Sequence, residues 1–72
     1  MDYDRLSAEE RGVMAQTRLL QLEQEHWQQT MGLRGAKRAG HSKDADGFAA
    51  NLQTIEAHIA SLREVLAELG DA

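Results

Sequence analysis

Seven apolar residues, Phe48, Leu52, Ile55, Ile59, Leu62, Leu66 and Leu69, recur at intervals of four, three, four, three, four and three. That spacing is the seam of a helix that packs lengthwise against another helix. A strand would scatter the same positions over both of its faces, and a lone helix would leave the seam in water. No polar residue interrupts the seam, so nothing in it fixes register or partner number as a core asparagine would. Ala45, Ala49, Ala60, Val65 and Ala67 widen the apolar surface beside it. The spacing predicts a helix over 45–69, with Ser42 or Asp44 as its cap and Gly70 as its stop.

A partner helix is available upstream. Ser7-Ala8-Glu9-Glu10 has the form of a capping box, which sets the start of a first helix near Ala8. Its best apolar line is Leu6, Val13, Leu20 and Trp27, spaced by seven, with Met31 a turn further on. A second line, Ala15, Leu19, Leu22, His26 and Leu33, runs beside it. Together they read as one broad apolar face, on which Trp27 is a core residue and Met14 and Met31 are packing residues. Gln21, Gln24, Gln28 and Gln29 make an uncharged polar face around Trp27.

Between the helices the character changes. Four of the six glycines, Gly32, Gly35, Gly40 and Gly47, fall here, with Arg34, Lys37, Arg38 and Lys43. Either the first helix spans 8–31 and a basic, glycine-rich connection covers 32–44, or the helix continues to residue 39 and stops at Gly40. In both forms a short link folds the helices into an antiparallel hairpin. Residues 33–43 hold four bases and no acid, so the tip is positive although the whole chain carries −4.

The fold class is therefore all-α, a two-helix hairpin in one domain over residues 1–72. A chain of 72 residues without cysteine has neither a large core nor a disulfide to hold it. Association into a four-helix bundle is the remaining route. Its expected seam is Val13, Leu20, Trp27, Phe48, Leu52, Ile55, Ile59, Leu62, Leu66 and Leu69. The expected product is a homodimer or a higher assembly.

The chemistry-bearing residues are few. Glu23 and His26 have the Glu-x-x-His spacing that helical bundles use to present two metal ligands on one face. His58 and Glu56 stand on the opposing helix, so Glu23, His26 and His58 form the candidate metal set. The counter-argument is the shortage of carboxylates and of a second such motif; no metal or other cofactor is expected. Arg34, Lys37, Arg38 and Lys43 are the candidate contacts for an anionic partner, nucleic acid included. Against that stand the net negative charge and the absence of aromatics for base stacking.

No nucleophile is paired with a base, and no glycine-rich phosphate loop follows a strand. The chain also lacks an apolar run long enough to span a bilayer and a basic, apolar leader at its start. These features predict a non-enzymatic, cytoplasmic interaction and assembly module that binds itself and docks another protein. Two alternatives are a small nucleic-acid-associated regulator using the basic tip, and a metal-binding bundle.

Overall fold

The computed structural model describes residues 6–71, with side chains through Gly70. From the sequence, residues 1–6 read as a short ordered lead or a frayed end, and of these 1–5 lie outside the described residues. Two helices make up the fold: α1, Ala8–Ala39, and α2, Ser42–Asp71. They pack against each other along their length as a hairpin, and none of the described residues forms a strand. No helix is long and apolar enough to cross a membrane among these residues.

The start of α1 follows from the capping sequence. The Ser7 hydroxyl accepts from the Glu10 backbone N–H at 3.1 Å, and the same hydroxyl donates to the Glu10 carboxylate at 3.2 Å. The Ser7 carbonyl takes the first helical bond, from the Arg11 N–H, at 2.9 Å. Glu9 and Glu10 lie in the first turn, where negative charge opposes the unpaired N–H groups.

The end of α1 is the longer of the two forms that the sequence allows. Gly32 and Gly35 lie inside the helix, and the chain turns only at Gly40, whose φ is 77°. The Gly40 N–H donates to the Lys37 carbonyl at 3.2 Å, and the His41 N–H donates to the Ala36 carbonyl at 2.9 Å. This pair of bonds is the Schellman arrangement, which needs a left-handed residue between them. Glycine supplies that conformation without the Cβ clash of an L side chain. Lys37 and Arg38 occupy the last turn, where positive charge meets the unpaired carbonyls.

The connection is thus Gly40 and His41 rather than 32–44. α2 begins at Ser42, three residues earlier than expected. The His41 carbonyl accepts from the Ala45 N–H at 3.0 Å, so His41 stands at the cap position. Ser42 and Asp44 sit inside the first turn instead of capping it, and Asp44 faces His41 Nδ1 at 3.7 Å. Gly70 does not stop α2. Gly40 is the only described residue with positive φ, and without that conformation Gly70 continues the helix to Asp71.

The core lies along the seam between the helices. Leu22, at 2% exposure, packs with Ile55 and Ile59, and Leu19 and Leu62 close over them. Ala15, Ala36 and Ala45 are the other buried residues. Small side chains on α1 therefore meet bulky ones from α2. At Gly32 the helices meet without room for a side chain: a Cβ there would lie 2.5 Å from the Phe48 ring.

Candidate interaction surface on the first helix

At about 100° per residue, Ala15, Leu22, His26 and Leu33 fall within a narrow sector of α1, and Leu22 and Leu20 are about 200° apart. Because Leu22 faces α2, Leu20 faces away from it. Val13 and Trp27 share the side of Leu20, as the seven-residue spacing requires. The exposures agree: Val13 is 59%, Leu20 56% and Trp27 62% exposed. Met31, on the same side, is exposed as well, as is Leu6 just before the helix.

The broad face expected of α1 is therefore two separate stripes on opposite sides of the helix. The bulkier stripe, expected to be the better packing line, stays largely exposed on the side away from α2. Trp27 is a surface residue of the hairpin and not a core residue, because its direction is set by Leu20 and Val13. Met14 is likewise exposed rather than packed. The expected self-association seam divides accordingly. Its α2 members, Phe48, Leu52, Ile55, Ile59, Leu62, Leu66 and Leu69, are buried or half-buried, Ile55 and Ile59 in the core against α1. Its α1 members, Val13, Leu20 and Trp27, remain open to solvent.

Gln16, Thr17 and Gln24 flank this open stripe and are exposed and uncharged. Glu23, Gln24, Trp27 and Gln28 enclose a shallow depression around the indole. Such a strip, apolar along its centre with polar margins that are uncharged apart from Glu23 around its middle, suits a wet helix–helix contact. Arg34 and Arg38 continue it toward the tip, and Glu9 lies on it at the other end.

The candidate metal residues do not converge. His26 Nε2 lies 3.1 Å from Glu56 Oε1, a hydrogen bond across the hairpin in which the imidazole N–H donates. Glu23 is instead 4.0 Å from Arg63 on α2. These four side chains surround an open hollow of about 330 Å³ together with Ile59 and Ala60. His58 follows Glu56 by two residues, about 200° around the helix, and lines a different hollow with Arg18, Leu22, Ser61 and Leu62. The set Glu23, His26 and His58 is thereby split between the two edges of the hairpin. Among the described residues no group of three or more such side chains is placed to hold a metal ion.

What the hollow does have is a hydrogen bond at the surface, between His26 and Glu56. With Glu56 62% exposed, solvent screens it, and pairs of this kind contribute about 0–1 kcal/mol. His26→Ala is accordingly expected to lower unfolding stability by no more than about 1 kcal/mol in urea titrations. On the other side of the seam Asn51 donates to Gln29 at 3.1 Å. These two exposed polar contacts join the helices on either side of the seam. Sequence reasoning missed them because they depend on the position of the turn.

At the tip, Arg34, Lys37, Arg38 and Lys43 are exposed and make no ion pair with another described residue. They do not form one patch on a loop. Arg34, Lys37 and Arg38 ride on α1, and Lys43 lies in the first turn of α2.

Comparison with protein-family models, with curated proteins and with solved structures finds no match.

Proposed function

We propose that this chain is a non-enzymatic helical assembly module, which self-associates into a four-helix unit and offers the assembled surface to a protein partner. One observation supports the reading above the others. α1 is apolar on two opposite sides, and the hairpin covers only one of them, leaving Val13, Leu20 and Trp27 more than half exposed. Large aromatic and aliphatic side chains in a row, with mainly uncharged polar margins, are what helix-docking surfaces present. The chain exposes 5736 Å². That is roughly 1,300 Å² more than a compact monomer of its mass exposes by the usual scaling with size. A standard interface removes about 800 Å² from each partner, so the excess is enough for one.

Sedimentation equilibrium tests the reading. The wild-type chain is expected at twice its monomer mass of 8.0 kDa or above. Leu20→Glu is expected to return it to the monomer mass while helical circular dichroism persists, because Leu20 lies outside the hairpin core. A wild-type chain that stays monomeric as its concentration is raised into the millimolar range would count decisively against self-association.

A further inference from the structure

We infer that the occupant of the open α1 stripe is a second copy of the same chain, lying antiparallel to the first with the two-fold axis at Leu20. The inference rests on the assembly reading above and adds the partner's face, direction and register.

The register comes from the spacing. Val13, Leu20 and Trp27 are equally spaced, so a two-fold axis at Leu20 sets Leu20 against its own copy and Val13 against Trp27 on both sides. The smallest side chain of the stripe then meets the largest, twice, as interdigitated packing requires. Sliding one copy by a heptad one way would set Leu20 against Trp27 but leave Val13 facing Arg34; sliding it the other way would set Val13 against Leu20 but bring Glu9 beside Glu23 of the other copy, like charges at both ends. In the chosen register the margins also agree. Gln16 faces Glu23, and Thr17 faces Gln24, so no like charges are opposed along the stripe.

The direction comes from the charges. Arg34 and Arg38 extend the stripe at the tip, and Glu9 and Glu10 flank it at the open end. A parallel pair would stack each arginine on its own copy. In the antiparallel pair, Arg34 falls about three residues from Glu9 of the other copy, on the order of 5 Å along the axis and within the reach of the guanidinium. Arg34 makes no ion pair with another described residue, so it is available for this contact. The arrangement places the two α1 helices side by side at the centre and the two α2 helices outside. It is a flatter layer than a square bundle, because the two apolar stripes of α1 lie on nearly opposite sides.

Disulfide trapping in the otherwise cysteine-free chain tests this, alongside the solution mass of each variant. Under mild oxidation Leu20→Cys is expected to link to itself as its major product. Val13→Cys and Trp27→Cys are each expected not to link alone, since fourteen residues separate the two copies of either position, about 21 Å along the helix. Mixed together, they are expected to give the mixed disulfide. Gln28→Cys, off the stripe, guards against loss of association in the core variants. Spin labels there are expected more than 20 Å apart, sixteen residues at about 1.5 Å each. Self-linking of Trp27→Cys together with close Gln28 labels, in a protein of dimer mass, would overturn the direction while leaving the assembly reading intact. A dimer in which none of the stripe cysteines link would overturn the face. Monomer mass for the wild-type chain would overturn both readings.

Discussion

Leu22→Ala is expected to remove about half of the stability of the hairpin. Leu22 is the most deeply buried side chain described, and the buried apolar cluster around it contains only Ile55 and Ile59, with Leu19 and Leu62 at its edges. Leucine-to-alanine changes in a packed core cost about 2–5 kcal/mol, the upper values where the cavity cannot collapse. At about 0.05–0.15 kcal/mol per residue, a chain of this length has of the order of 4–11 kcal/mol in all. The expected fall in Tm is roughly 8–40 °C. Leu20→Ala, two residues away, is the control. It leaves the packing of α1 on α2 untouched, and its effect is expected in the concentration dependence of the melt rather than in the hairpin itself. A chemical melt of Leu22→Ala that matched the wild type would mean that α1 packs with its other stripe inward. Ile59→Asp is expected to unfold the chain for the same reason, since it places an unpaired charge in the same cluster.

The contrast between Leu20 and Leu22 also marks how far the fold can be read from the residues alone. α2 has one apolar stripe, so its face is legible from the spacing of Phe48 to Leu69 without knowledge of a partner. α1 has two, and bulk is the wrong criterion for choosing between them. The turn at Gly40 and His41 is only two residues long. Across the seam α2 supplies Phe48, Ile55 and Ile59, and on α1 the stripe with Ala15, Leu22, Gly32 and Ala36 is the one turned inward. The stripe carrying Trp27 is left outside.

The same logic explains the glycines. Grouped between residues 32 and 47, they read as a flexible connection, since each costs about 1 kcal/mol in a helix interior relative to alanine. Only Gly40 takes the left-handed conformation that a turn needs. With no proline to block the hydrogen-bond ladder, the helix runs through the others. The Glu23, His26 and His58 set was misleading for a related reason. Glu-x-x-His spacing puts Glu23 and His26 together on any helix, but whether His58 joins them depends on rotation about α2. Two residues from Glu56 is enough to carry His58 to the other edge.

Gly32→Val supplies the sharpest check on the helix–helix register, because its effect depends on a contact far away in sequence. Three atoms of the Phe48 ring lie within 3.0 Å of where a Cβ would stand, and the ring is held at the seam. The ring must move or the helices must part, and overpacking of this kind costs about 1–3 kcal/mol. Valine regains little of the helix propensity that glycine lacks, since its branched side chain loses rotamer freedom in a helix. The net expectation is a loss of about 1–3 kcal/mol in denaturant titration, roughly 4–24 °C in Tm. Gly35→Ala, one turn on and with open space around its Cβ position, is expected to act in the opposite sense, raising stability by up to about 1 kcal/mol. Phe48→Leu should relieve much of the cost of Gly32→Val, a coupling that a double-mutant cycle reads directly. If both glycine substitutions stabilised the chain equally, residue 32 would not face Phe48, and the antiparallel register that places α1 against the α2 seam would have to be redrawn.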